Sequence, residues 1–127
     1  MINFNKDSFW NLHPIDKESV REDVKGLLIE GEEIMQAFKT IRDQVIFTTK
    51  RIIAVDVQGI TGMRRSFSSM PYSTIQFFTI QTPGFIELVH DSELLIYFSN
   101  GFKANFEFSG TVDIGEICRT ISKYTLG

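Results

Sequence analysis

Residues 42–62 read RDQVIFTTKRIIAVDVQGITG. The first sixteen of them contain two runs of alternating side chains, separated by a turn rich in threonine and lysine. A period of two is typical of β-strands, because successive side chains point to opposite faces of a sheet. The pattern predicts strands at Arg42–Thr48 and Lys50–Val57, joined by a tight hairpin.

Both alternating sets in this hairpin are apolar. Val45 and Phe47 would face one side of the sheet, while Ile46, Ile53 and Val55 would face the other. A strand that is apolar on both faces needs cover on both sides. Two arrangements remain open at this point. Either the chain covers both faces itself, or one face meets the core and the other meets a partner.

The same period continues on both sides of the hairpin. Further strands are predicted at Ile34–Lys39, Arg64–Met70, Thr74–Gln81, Phe85–His90, Glu93–Phe98 and Lys103–Phe108. Asn100-Gly101 lies between the last two and signals a hairpin, since both positions of such a turn favour positive φ. These eight candidate segments are short and nearly regularly spaced, and they predict a sandwich or a partly open barrel of about seven strands.

The flanking segments show the helical period instead. A first helix is predicted over about 16–30 and a second over about 112–125, which would plug one end of the barrel. Their apolar stripes are Val20, Val24, Leu27 and Leu28 in the first and Ile114, Ile117, Ile121 and Tyr124 in the second. Gly31 would end the first helix, and Thr111 or Asp113 would cap the second. Residues 1–15 are predicted to be an arm and 16–127 a single domain.

Four stretches of the chain carry a family resemblance. They are Leu28–Ile34, Arg42–Ile53, Val55–Gly62 and Met70–Ile75. With them the chain resembles the bacterial pleckstrin-homology (PH) domain family, from about Lys17 to Thr125. The resemblance implies a bent, seven-stranded antiparallel sheet capped by the C-terminal helix, here with an extra N-terminal helix. It also implies assembly into cyclic oligomers through strand edges. Met63-Arg64-Arg65 departs from the lysines that similar sequences tend to place there.

Charge is distributed unevenly along the chain. The net charge is −3, yet residues 39–65 carry six basic and two acidic side chains. The basic residues, which form a candidate anion-binding face, are Lys39, Arg42, Lys50, Arg51, Arg64 and Arg65. The simpler alternative is that these charges keep strand ends and hairpins soluble and unpaired.

The partners suggested by this charge pattern are limited. The acidic net charge argues against a nucleic-acid partner. The loop 39–42 is short and only doubly basic, which argues against phosphoinositide binding. Contact with a membrane would be at most peripheral, through the basic segment 39–65.

No catalytic arrangement stands out in the sequence. His13 and His90 are the only histidines, Cys118 is the only cysteine, and no spacing suggests a metal site or a bound cofactor. The turn 59–62 lacks the Gly-Lys-Ser/Thr signature of a phosphate loop. The N-terminus does not resemble a signal peptide, and no apolar run approaches the ~20 residues that span a bilayer. We therefore expect a cytoplasmic protein that is not an enzyme.

Protein–protein interaction is the leading functional hypothesis. Large aromatic side chains of the kind enriched at interfaces are Phe4, Phe9, Trp10, Phe77 and Phe78. An open sheet also has edges that can add a partner strand. We predict a module that self-associates, as a ring if the rotation between copies closes. The alternative is a peripheral membrane or anionic-ligand adaptor.

Overall fold

The computed structural model describes residues 8–82, 91–110 and 112–127. The strands are β1 Ser8–Ile15, β2 Ile34–Lys39, β3 Gln44–Thr48, β4 Arg51–Gln58, β5 Arg64–Pro71, β6 Ile75–Gln81, β7 Ser92–Phe98 and β8 Lys103–Phe108. The helices are α1 Glu22–Lys25 and α2 Ile114–Thr125, with 3-10 turns at Lys17–Ser19 and Tyr72–Thr74. The predicted strand Phe85–His90 lies outside the described residues.

The eight strands form one sheet in the order β5-β4-β3-β2-β1-β8-β7-β6. All neighbouring pairs are antiparallel except β1 and β8, which run parallel. The mainly β fold with a C-terminal helix is confirmed. The prediction of about seven strands, all antiparallel, needs correction by one added strand and one parallel pair.

The added strand is β1, which lies within the segment 1–15 that the sequence predicts to be an arm. Residues Ser8 and Phe9 pair with β8, whereas His13, Pro14 and Ile15 pair with β2. The register shifts between Phe9 and Leu12, where Asn11 adopts φ 60. Such a bulge adds a residue to the strand and disturbs the alternation of its side chains. Phe9 and Leu12 consequently both point into the core at a spacing of three, which hides the strand from a period-two pattern.

The main core lies inside the bent sheet and beneath α2. Ile117 and Ile121 of the predicted stripe are buried there against inward residues of the strands. The carboxylate of Asp113 accepts a hydrogen bond from the Glu116 amide at 3.2 Å, so Asp113 caps the helix as one of the two predicted candidates. Near its other end, Tyr124 stacks on Tyr72 with ring centroids 5.6 Å apart.

A second, smaller core covers the opposite face of strands β2 to β4. Val20 and Val24 pack there on Ala37, Ile46 and the apolar positions of β4. The chain itself therefore covers both faces of the central hairpin. This is the first of the two arrangements that the sequence left open.

The predicted helix over 16–30 is wrong in length. Only a 3-10 turn and the four-residue α1 form, because Val20 and Arg21 adopt extended ψ values of 141 and 142. The break is stabilised from the sheet, since the side-chain oxygen of Gln44 accepts the Arg21 amide at 3.1 Å. The two valines of the predicted stripe still reach the sheet.

A buried ion pair fastens this covering segment to the sheet. The Glu32 carboxylate accepts hydrogen bonds from the Arg51 guanidinium at 2.9 Å and from the Thr48 hydroxyl at 2.6 Å. Arg51 also donates to the Leu27 carbonyl and the Ser69 hydroxyl. Burial alone would raise the pKa of Glu32, but the hydrogen bonds from Arg51, Thr48 and the Ile29 amide outweigh it and lower the pKa from 4.5 to about 2.

Glu32→Gln is expected to reduce the free energy of unfolding by about 3 kcal/mol at neutral pH, because Arg51 loses its buried partner. The wild-type advantage is present above pH 4.5 and fades as the pH falls toward 2, since the folded state holds the lowered pKa. Urea unfolding at a series of pH values measures this difference. Glu33→Gln, at an exposed neighbouring position, is the control. If Glu32→Gln lowers the free energy of unfolding by the same amount at every pH down to 2, the ion-pair account is contradicted.

Candidate functional site

Two loops meet at one end of the sheet. Residues 40–43 connect β2 to β3, and residues 59–63 connect β4 to β5. The Arg42 guanidinium donates a hydrogen bond to the carbonyl of Gly59, which joins one loop to the other. We call residues 40–43 and 59–63 together the loop end.

Hydrogen bonds also fix each loop internally. The Thr40 hydroxyl accepts the amides of Arg42 and Asp43 at 3.3 and 3.0 Å. The Asp43 carboxylate accepts the Val57 amide at 3.0 Å and is buried. Gly59 and Gly62 both have positive φ, as expected of the predicted turn. Arg42 and Asp43 therefore both stabilise the geometry of the loop end.

An open cavity of about 630 Å³ lies beside the loop end. Trp10 and Asn11 of β1 form one wall, and Lys39 to Asp43 form the other. The cationic side chains on its lining are Lys39 and Arg42, with His13 beside them. Because the one lining carboxylate, that of Asp43, is buried against a backbone amide, the mouth of the cavity has cationic character.

The structure divides the six predicted anion-binding residues. Arg42 lies within the loop end, and Lys39 at the end of β2 and Arg64 at the start of β5 adjoin it. Lys50 sits in the turn at the opposite end of β4, roughly 25 Å away along that strand. Arg51 is held by Glu32, and Arg65 lies 3.6 Å from the Asp23 carboxylate. Only half of the predicted set is thus placed together.

Sequence reasoning missed the apolar residues of the loop end. Ile41 and Ile60 are fully exposed at the two loop tips, and Met63 is largely exposed. Trp10 is 51% exposed at the neighbouring cavity. The signal available in the sequence was an isoleucine between polar turn residues, in Thr40-Ile41-Arg42 and again in Gly59-Ile60-Thr61.

The predicted interface aromatics also occupy different places. Phe77 on β6 is 52% exposed and stacks on Tyr97 with centroids 4.3 Å apart. Phe78 packs against the main core, and Phe9 is only 3% exposed and stacks on Phe106. The interface role predicted for Phe9 is therefore replaced by a core role. The predicted contact residue Phe4 lies outside the described residues.

The edges of the sheet are β5 and β6 within the ranges 8–82, 91–110 and 112–127. Strand β5 begins with Arg64 and Arg65 and ends at Pro71. Strand β6 reads IQFFTIQ and contains no charged residue, proline or glycine. Charges and prolines are the usual protection of an edge against pairing with another chain. Strand β6 lacks this protection.

A family model described as Bacterial PH domain matches residues 3–125. The chain belongs to the bacterial PH domain family. Two uncharacterized proteins of Bacillus subtilis strain 168 are similar to it. YjqA is 44% identical over 89 residues, which are 70% of either chain. YozO is 31% identical over 111 residues, which are 87% of this chain and 93% of that protein.

Solved structures of bacterial proteins share the fold. A DUF1696 family protein with a pleckstrin-homology domain from Shewanella loihica PV-4 aligns with a TM-score of 0.78 at 28% identity, covering 91% of this chain and 98% of that one. A pleckstrin homology domain from Shewanella amazonensis SB2B aligns with a TM-score of 0.67 at 33% identity, covering 89% and 90%. The resemblance drawn from the sequence is confirmed.

The described part of this bacterial PH domain holds no group of three or more His, Cys, Asp or Glu residues that could bind a metal ion. Burial raises the pKa of the Cys118 thiol to about 11, which keeps it protonated at neutral pH. His13 lines the cavity, and His90 lies outside the described residues. Among the described residues, neither helix has the length and apolar character that a membrane span requires.

Asp43→Ala should lower the free energy of unfolding by about 1–2 kcal/mol, because the part-buried Val57 amide loses its acceptor. Amide hydrogen exchange at Val57 should also become faster. Asp56→Ala serves as the matched control, since its carboxylate accepts a hydrogen bond from the side-chain amide of Gln58. Unchanged exchange at Val57 in Asp43→Ala would show that another acceptor holds the amide.

Proposed function

We propose that this protein is a non-catalytic interaction module of the bacterial cytoplasm that self-associates head to tail through β5 of one copy and β6 of the next. The observation that carries the proposal is the composition of β6. This edge strand has seven residues, none of them charged, and a half-exposed phenylalanine.

An unprotected edge favours the addition of a strand. Backbone amides and carbonyls on the outer side of β6 can pair with an extended strand, as in β-augmentation. The stacked rings of Phe77 and Tyr97 lie next to that edge and offer apolar surface for a neighbouring side chain. Strand β5 offers Phe67, which is also partly exposed.

The two edges differ from one another, which sets the symmetry of the assembly. A contact between β5 and β6 is heterologous, because different surfaces of the two copies meet. A dimer formed in this way leaves β6 unused on one copy and β5 unused on the other, so further copies can add at both ends. Heterologous contacts produce a ring when the rotation closes and a filament when it does not.

Two sequence features that favour self-association have other roles in this fold. The second apolar face of the central hairpin is covered by Val20 and Val24, so it needs no partner. Phe9 and Phe78 pack on the chain's own core. Support for the proposal therefore comes from the edges and from the exposed aromatic pair beside β6.

The expected result is an oligomer in light scattering at micromolar concentration. Phe77→Lys/Thr79→Lys places charges on β6 and should give a monomer with unchanged circular dichroism. Phe67→Lys places a charge on β5 and should also give a monomer with unchanged circular dichroism. Ile60→Lys/Leu126→Lys adds two charges at exposed apolar positions outside both edge strands and should keep the oligomer. A monomeric wild type would contradict the proposal.

A mixing experiment tests the head-to-tail geometry. Each edge variant alone should be monomeric, yet an equimolar mixture should form a one-to-one dimer, because each variant retains the edge that the other has lost. A contact of β6 with β6 predicts instead that the β5 variant Phe67→Lys still dimerises by itself. That second outcome would overturn the ring model.

A further inference from the structure

We propose that β5 of one copy adds to β6 of the next in the antiparallel direction, with Arg64 of the neighbouring copy placed beside Glu93 and Glu107. The inference rests on the proposed function, because it specifies how the two edges meet. It adds the direction and register of the contact and the residues that select the partner strand.

Two carboxylates face one another on the outer face of β7 and β8, which is the face turned away from the main core. Leu94 and Phe106 point into that core, so the alternating Glu93 and Glu107 lie on the outer face. Glu93 and Glu107 are directly opposite in the register of the two strands. Like charges at opposite positions destabilise a sheet. The salt bridges among the described residues all lie elsewhere, so this part of the chain supplies the pair with no cation.

The row of these carboxylates continues to the free edge of the sheet. Glu93 is opposite Gln81 of β6, which is exposed and uncharged. The other end of the same face carries a cation, since Lys103 lies in the row of Tyr97 and Phe77. The surface along the edge is therefore acidic beside Gln81 and basic beside Phe77.

Strand β5 is also charged at one end only. Arg64 and Arg65 begin it, and Pro71 ends it. Arg65 lies 3.6 Å from the Asp23 carboxylate of its own chain, whereas Arg64 is exposed and takes part in no salt bridge among the described residues. Charge complementarity favours the direction that brings Arg64 to the Gln81 end of β6. The start of β5 then meets the end of β6, which makes the contact antiparallel.

The topology fixes which face of β5 joins the acidic row. Six of the seven neighbouring strand pairs are antiparallel, so β5 and β6 run in the same direction at opposite edges of the sheet. A second copy that is turned to pair antiparallel must therefore present its inner face on the side of the first copy's outer face. Arg64 shares the inner face of β5 with Met70, which packs in the main core. Arg64 consequently points to the side of Glu93.

The lengths of the two strands set the register. Placing Arg64 opposite Gln81 aligns residues 64–70 with residues 75–81, so β6 is paired over its whole length. Arg64 is then two strand spacings from Glu93, roughly 10 Å between their Cα atoms, which the two extended side chains can span. The guanidinium offsets the repulsion between the carboxylates. The acidic row in turn selects a partner strand that begins with arginine.

Cysteine cross-linking tests the direction and the register. In a Cys118→Ser background the chain has no other thiol. The proposed register places Ser66 of one copy opposite Thr79 of the next, on the same side of the sheet. An equimolar mixture of Ser66→Cys and Thr79→Cys chains should give a disulfide-linked heterodimer on mild oxidation, since the Cβ atoms of opposite residues lie roughly 5 Å apart. A mixture of Ser69→Cys and Thr79→Cys chains is the control, because Ser69 lies on the other side. A parallel contact over the full length of β6 would bring Ser69 to Thr79 and reverse the two results.

Charge reversal tests the role of the acidic row. Arg64→Glu and Glu93→Arg should each weaken association by about tenfold or more, because like charges then meet across the contact. Arg64→Glu/Glu93→Arg in one chain should restore association. Lys50→Glu makes the same change of charge in the turn before β4 and should leave association unchanged. Light scattering over a series of concentrations at low salt measures these differences, which high salt should reduce.

The outcomes separate this register from the edge contact itself. A monomeric wild type overturns both. A wild-type oligomer that cross-links through Ser69, or through neither Ser66 nor Ser69, overturns the register and leaves the edge contact standing. Charge-reversed variants that assemble like the wild type would overturn the register as well, since the acidic row would then have no part in selecting the strand.

Discussion

The double pairing of β1 is the constraint on which the single sheet depends. Its first residues pair in parallel with β8 and its last with β2, so among the described residues β1 is the strand that joins the two halves of the sheet. The bulge between Phe9 and Leu12 makes this possible, because it changes the direction of the strand while keeping both side chains in the core. The bent shape, and with it the place of the loop end, follows from that arrangement.

The sequence predicted those elements whose pattern is regular. Strand β8 alternates Ala104, Phe106 and Phe108 with polar residues, and the structure buries those three. Helix α2 buries its stripe through Ile117 and Ile121. At the 98–103 hairpin the turn was correctly placed, but only Gly101 has positive φ, so its expected geometry was wrong.

The candidate site was harder to predict because it depends on distant partners. Arg51 looked available for an anion, yet its partner Glu32 lies nineteen residues earlier and is brought to it by the fold. Composition cannot distinguish an arginine that is held in a buried ion pair from one that is exposed at the surface. The same holds for apolar residues. Phe9 and Ile41 are both large apolar side chains, but Phe9 is buried and Ile41 is fully exposed.

The parallel pair of β1 and β8 has a further consequence, for the order of folding. Strands β2 to β5 are joined by short hairpins and close small loops. Pairing Ser8 with Asn105 closes a loop of nearly the whole chain, which is entropically expensive and slow. During synthesis β1 emerges well before β8, so the two can pair only after β2 to β7 have been made. The inner edge of β2 can pair earlier with the last residues of β1, whereas the inner edge of β8 gains its partner only in this late step.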